Sequence, residues 1–499
     1  MDALLKIHPL DNVAVCTKAL AKGTTVEGLV LLADIPAGHK VALKQIAAND
    51  WIWKYGFPIG KATVAIAPGE HVHTQNLSSG LGEGKAPVPD EVAPVTHPLA
   101  SHSAPAHFMG YRRPDGRAAI RNEIWIINTV ACVNGTSERI AARARERWCT
   151  PGSPIEAIQA FTHPYGCSQL GDDLGHTRSI LAGLARHPNA AAVLVLGLGC
   201  ENNRMEGFLK VVGEQEPRRI RFFNAQEVSD EIESGLEAMA ELVEYASSFT
   251  REPIPASELI LGMKCGGSDG FSGITANPLV GRIADWLSAQ GGTTLLTEVP
   301  EMFGAEAVLE RRADSPEIRE QFCGMVEEFK EYFRRHNEPI YENPSPGNKE
   351  GGISTLEEKS LGCVQKGGSA PVREILSYGE RATPGLGGLS LIQAPGNDGV
   401  SATAMTAAGA HMILFTTGRG TPLGMPVPTL KIASNTDLAS RKPGWIDFNA
   451  GELLSDGADS QKVTQDLIGL ILETAGGKQS RNEINGYREI AIWKKGVTL

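Results

Sequence analysis

Apolar positions along the chain fall into two rhythms. Over residues 1–78 the apolar runs are short, at 13–16, 26–32, 41–43 and 62–67. Turn signals separate them: Ala21-Lys22-Gly23, Ile35-Pro36-Ala37-Gly38 and Ala67-Pro68-Gly69-Glu70. Short β-type runs between such turns predict a small, mostly β domain. The last two turns look alike but do not establish an internal repeat. Over 79–108 the pattern disappears into serine, glycine and proline, including Pro87, Pro89, Pro94, Pro98 and Pro105, which predicts a linker or extended arm.

From residue 109 the rhythm changes. Strand-like runs at 124–127, 155–161 and 191–198 alternate with helical stretches at 138–148 and 175–186. The segment 251–255 reads as a loop and a domain boundary. Beyond it, strands are predicted at 259–263, 292–296, 389–393 and 411–415, and helices at 281–289 and 315–336. Strands alternating with helices predict parallel sheets covered on both faces. The expected organisation is therefore multidomain: a β domain (1–78), a linker (79–108), an α/β domain (109–250) and a C-terminal α/β body (251–499).

Composition narrows the function. The 499 residues carry 47 basic and 58 acidic side chains, a formal charge of −11. Such a chain has no overall field for nucleic acid or anionic lipid, so neither is expected as a partner. No apolar run reaches the roughly 18 residues of a membrane span. The segment Met1-Asp2-Ala3-Leu4-Leu5-Lys6 lacks the pattern of a secretory signal. Eight dispersed cysteines, with no CxxC, predict reduced thiols and a cytoplasmic protein.

In open parallel sheets the site lies beyond the carboxyl ends of the strands. The loops following the predicted strands are small, polar and glycine-rich. They hold His163, Tyr165, Cys167, Cys200, Glu201, Lys264, Cys265, Asp269, Glu298, Asn397 and Arg419. A shared pocket is expected from them. Cys167, Cys200 and Cys265 supply soft ligands for iron or zinc, and three thiolates could carry an iron–sulfur cluster, although their spacing fits no local cluster motif. His71-Val72-His73 follows a turn, and in a strand residues i and i+2 share a face, so two imidazoles aim at one place and suit a divalent metal. His163 and Tyr165 are candidates for the acid/base pair. Arg419 and Lys264 are candidates for gripping a carboxylate. Gly-Leu-Gly at 197–199 is no dinucleotide fingerprint, and no phosphate-binding loop or GxSxG elbow is recognisable.

Several longer motifs carry a resemblance. They include Ile35-Pro36-Ala37-Gly38-His39-Lys40, Gly69-Glu70-His71-Val72-His73, Tyr165-Gly166-Cys167-Ser168-Gln169-Leu170-Gly171-Asp172-Asp173 and Gly197-Leu198-Gly199-Cys200-Glu201-Asn202-Asn203. Cys265-Gly266-Gly267-Ser268-Asp269-Gly270, Thr297-Glu298-Val299-Pro300-Glu301-Met302-Phe303-Gly304 and Thr417-Gly418-Arg419-Gly420-Thr421-Pro422 continue the set. Over essentially its whole length the sequence resembles the altronate/galactarate dehydratase family. The resemblance implies an N-terminal SAF domain of β-clip type and two catalytic-body domains. It implies a hydro-lyase that removes water from a sugar acid. For altronate the product would be 2-dehydro-3-deoxy-D-gluconate, in hexuronate catabolism. It also implies dependence on iron(II), Fe2+, or a similar ion such as Mn2+, without a nucleotide cofactor. Galactarate dehydratase, a sulfolactate sulfo-lyase-like enzyme and a non-catalytic sugar-acid-binding protein are the alternatives. Oligomeric state is left open, with a homo-oligomer compatible.

Overall fold

The computed structural model describes residues 3–81, Pro87 and 105–499. Most of the expected linker, 82–86 and 88–104, lies outside the described residues. In the N-terminal domain, Leu4–Leu5, Val13–Cys16, Lys40–Ala42 and His71–Val72 pair antiparallel in that order. Trp51–Lys54, Phe57–Ala62 and Leu77–Ser78 form a second antiparallel sheet. Two expectations change here. The run 26–32 is a tight hairpin of Thr25–Val26 and Leu29–Val30, because Glu27 and Gly28 adopt positive φ and reverse the chain. The run 62–67 is not a strand: Phe57–Ala62 ends where that stretch begins, and only Ile66 bridges, to Ile46.

The second domain centres on a parallel sheet ordered Ala157–Phe161, Glu123–Asn128, Ala190–Gly197, Ile220–Asn224. Ala190–Gly197 is buried at every position, as a strand covered on both faces must be. The segment expected as a loop at 251–255 is instead the strand Arg251–Pro255, paired antiparallel with His107–Arg112. It is an edge strand, where Pro253 and Pro255 forfeit no essential ladder bond.

The C-terminal body holds a seven-stranded parallel sheet. Its order is Val372–Leu376, Gly388–Ile392, Thr293–Leu296, Ile260–Cys265, Met412–Thr417, Thr429–Ala433, Phe448–Asn449. From Ile260–Cys265 the chain adds Thr293–Leu296, then Val372–Leu376 at the edge and Gly388–Ile392 between those two, and then returns to build on the other side. The strand order therefore reverses at Ile260–Cys265, and its carboxyl end opens onto the crevice where such sheets bind ligands. The helix Leu356–Cys363 is buried along its whole length in spite of Glu357, Glu358 and Lys359. The N-terminal domain lies over it, and Thr355 Oγ1 donates to the Ile59 carbonyl at 2.5 Å.

Candidate active site and metal centre

Antiparallel pairing of Val41 with His71 brings two distant turns side by side. His39 follows one turn, and His71 and His73 follow the other. The three rings converge, with centroids 4.9–5.6 Å apart and His39 Nδ1 3.1 Å from His71 Nε2. The body supplies partners for the outer nitrogens. His73 Nδ1 lies 2.9 Å from Ser354 Oγ, and His39 Nε2 lies 3.2 Å from the Glu350 carbonyl. Engaging one ring nitrogen this way orients the other as a metal ligand. Burial first, then neighbouring positive charge, pushes His71 and His73 down to about 4. Both rings are therefore neutral near pH 7, the form that binds metal. His39, which the two-residue spacing of His71 and His73 does not reveal, completes the group.

Inward from the histidines runs a chain of buried polar groups. Lys40 donates to Ser354 Oγ at 2.9 Å and to Glu358 at 2.8 Å, and Lys54 donates to the other Glu358 oxygen at 2.8 Å. Burial alone would raise the Glu358 carboxyl, yet the two lysines hold it at about 2. Burial lowers Lys40 to about 8 even so.

Beyond this lies the carboxyl end of Ile260–Cys265. Lys264 is fully buried, hydrogen-bonded to Glu298 and 2.8 Å from Asp398. Burial would lower its amine, but Glu298 and Asp398 hold it above the ordinary range. Lys366 donates to Cys265 Sγ at 2.8 Å, and Lys359 pairs with Glu301 at 2.9 Å. The carboxylates split: burial and the charge of Glu301 raise Glu298, whereas the lysines pull Glu301 below the usual range against its burial. Cys265, Glu301 and Cys363 place their ligand atoms within 4.8 Å of one another. That group is a poor cation site, because three ammonium groups already neutralise it and one sits on a thiol. The histidine trio has neutral donors, but its three ring nitrogens do not form a group within 4.8 Å, so a metal there would have to draw the rings together.

The remaining predicted residues separate. Arg419 is exposed, with Nη2 3.1 Å from Glu350, whose carbonyl meets His39; it belongs to the histidine rim. His163 has both ring nitrogens committed: Nδ1 accepts from Tyr165 N–H at 3.1 Å and Nε2 faces the Asn128 carbonyl at 2.9 Å. It has no free nitrogen for substrate, and burial lowers its pKa. Tyr165 stacks beside it. Glu201 is consumed by its own loop and the one beside it, accepting from Leu198 N, Gly199 N and Thr129 Oγ1. Cys167 and Cys200 are exposed at strand ends of the second domain's sheet, whereas Cys265 is buried in a strand of the separate sheet of the C-terminal body. Sequence reasoning missed Lys359, Cys363 and Lys366 altogether.

A small β domain lidding the crevice of a parallel sheet, with a charge-dense interior and a histidine rim, defines a multidomain α/β enzyme for a small polar anion. The chain belongs to the galactarate/altronate dehydratase family. The model of the altronate/galactarate dehydratase SAF domain covers residues 2–80. The second domain of D-galactarate dehydratase/altronate hydrolase covers 110–247, and the C-terminal D-galactarate/altronate dehydratase domain covers 256–498. The chain is 47% identical to altronate dehydratase of Bacillus subtilis (strain 168), over all of both chains. It is 49% identical to altronate dehydratase of Escherichia coli (strain K12), over 99% of both. Galactarate dehydratase (L-threo-forming) of Escherichia coli (strain K12) is 34% identical over 95% of this chain and 93% of its own length. No helix among the described residues is long and apolar enough to cross a membrane.

Proposed function

We propose that this enzyme dehydrates D-altronate to 2-dehydro-3-deoxy-D-gluconate, with a divalent metal, iron(II) or manganese(II), held by His39, His71 and His73. The observation that carries the reading is that one buried helix, Leu356–Cys363, bears Glu358 beneath the histidine rim and Lys359 and Cys363 in the lysine–carboxylate cluster at the sheet's switch point. Near-equal, full-length identity to two altronate dehydratases supports altronate over galactarate as substrate.

The chemistry sets what the residues must do. The C2 proton of a 2,3-dihydroxy acid is weakly acidic, because the adjacent carboxylate is a poor electron sink, and hydroxide is a poor leaving group. A bound divalent ion supplies Lewis-acid charge for the enolate-like dianion. Arg419, exposed and paired with Glu350, would exchange that partner for the substrate carboxylate and grip it with its planar fork. Lys264 and Lys359 are kept ionised by their carboxylate partners, and Lys366 by Cys265 and then Glu298, and together they give the interior fixed positive charge where negative charge develops. Glu298, raised above the ordinary range, can hold a proton within this cluster. The enol product ketonises without redox change, so no nicotinamide is required.

The test is formation of 2-keto-3-deoxy acid from D-altronate by protein loaded with iron(II), manganese(II) or no metal. In deuterium oxide, solvent deuterium should enter at C3. Binding of altronate without any keto acid, under every metal condition, would leave only a sugar-acid-binding protein.

A further inference from the structure

The second domain carries a cluster of thiols that the proposed site does not use. Four cysteines are exposed among the described residues, and three of them, Cys132, Cys167 and Cys200, lie at one end of one sheet. Each follows a different strand: Glu123–Asn128, Ala157–Phe161 and Ala190–Gly197, which are neighbours in the parallel sheet. Cysteine is among the most buried residue types, so three exposed together at a strand-order reversal ask for a reason.

The loops that carry them are stitched to one another. Ala131 N–H donates to the Tyr165 carbonyl at 2.9 Å, joining the Cys132 loop to the Cys167 loop. Asn203 N–H donates to the Gly166 carbonyl at 2.9 Å, and Ser168 N–H to Asn202 Oδ1 at 2.7 Å, joining the Cys167 loop to the Cys200 loop. Thr129 Oγ1 donates to Glu201 at 2.5 Å, joining the first loop to the third. Gly166 shows how close the approach is, since a Cβ there would lie 2.1 Å from the Thr129 carbonyl oxygen. The buried Glu201 carboxylate thus braces the loops and leaves the thiols outward.

We infer that Cys132, Cys167 and Cys200 form a three-thiolate site for an iron–sulfur cluster. A single ion does not fit the spacing. Two sulfurs at about 2.3 Å from one ion lie at most about 4.6 Å apart. These three thiols do not form a group within 4.8 Å, as Cys265, Glu301 and Cys363 do. A multi-iron cluster spans a wider ring of thiolates. Three ligands from this chain leave one iron of a four-iron cluster without a protein thiolate. Loading displaces three thiol protons and changes no oxidation state when iron and sulfide are supplied in the cluster's own valences.

The experiment is anaerobic reconstitution of the full chain with ferrous and ferric iron plus sulfide, followed by desalting. Iron, acid-labile sulfide and the visible charge-transfer spectrum are then measured. The expected result is stoichiometric labile sulfide with a broad visible band that dithionite bleaches. Cys132→Ser, Cys167→Ser and Cys200→Ser should each lose it, with circular dichroism unchanged. Cys323→Ser, the remaining exposed cysteine, and the His71→Ala/His73→Ala double variant should both keep it, which separates this site from the histidine trio. Absence of labile sulfide in the parent protein, one bound zinc in place of a cluster, or an unaltered spectrum in the triple Cys→Ser variant would each overturn the inference.

Discussion

Replacing Glu358 by glutamine should loosen the N-terminal domain from the body. Among the described residues, Glu358 is the one carboxylate paired with both Lys40 and Lys54, at 2.8 Å each, and all three side chains are essentially buried. Two estimates of the cost agree. Its carboxyl sits at about 2, against an ordinary glutamate near 4.3. At about 1.4 kcal/mol per tenfold in proton affinity, that difference is about 3 kcal/mol. Removing one partner of a buried ion pair, which strands the other charge, typically costs about 3–5 kcal/mol. The sign of the pH effect follows. A depressed carboxyl stabilises fully above its unfolded value near 4.3, and that stabilisation is lost as pH falls toward 2. Glu358→Gln should therefore flatten this part of the acid limb. In the variant Lys40 should titrate below its present value of about 8. The folded state then binds fewer protons than the unfolded one, so stability should rise with pH from neutral toward 10. Because a multidomain chain need not unfold in two states, the readout is local amide hydrogen exchange at Lys40–Ala42 and Trp51–Lys54. Opening free energies within about 0.5 kcal/mol of the parent would refute the argument.

Four further outcomes are expected. His71→Ala and His73→Ala should each lower metal content and turnover together, and full activity at normal metal content would remove the N-terminal domain from the chemistry. Because both imidazoles titrate near 4 rather than 6.5, bound metal should survive dialysis at pH 5.5 and be lost below about pH 4, measured by metal analysis. Arg419→Lys keeps the charge but loses the planar fork, so KM for the sugar acid should rise about tenfold with little change in kcat, and unaltered Michaelis parameters would dismiss the grip. Gly270→Ala sets a Cβ 2.0 Å from the Gly38 carbonyl oxygen, so it should part the two domains at the histidine rim, cost about 1–3 kcal/mol and depress turnover at least tenfold.

Most of the body was legible because a strand covered on both faces is a continuous apolar run, as at Ala190–Gly197, and has few alternatives. His71 and His73 were legible through two-residue periodicity. His39 was not, because its neighbour in space is 32 residues away and only strand pairing joins them. The signal existed: His39 and His71 each stand three residues after the proline of the two similar turns. Lys359, Cys363 and Lys366 were hidden for a different reason. Glu357-Glu358-Lys359-Ser360 reads as a solvated helical face, and only the covering domain turns it inward. The segment 251–255 misled because prolines suggest a loop, whereas an edge strand tolerates them. Cys265 was grouped with Cys167 and Cys200 by analogy of loop type. Nothing in linear order distinguishes two sheets that use the same kind of strand-end loop.

The seam between the N-terminal domain and the body is both apolar and ionic: one hydrophobic cluster runs from Phe57, Ile59 and Val72 into the core of the body, and Lys40, Lys54 and Glu358 are buried beside it. When an apolar seam parts, water meets surface it cannot wet favourably, and the penalty grows with area. When Lys40, Lys54 and Glu358 part, each regains its hydration shell, which offsets much of the attraction given up. The ionic part of the seam therefore opposes parting by less than its attraction suggests, and the apolar part, whose cost grows with the area exposed, holds the two domains together.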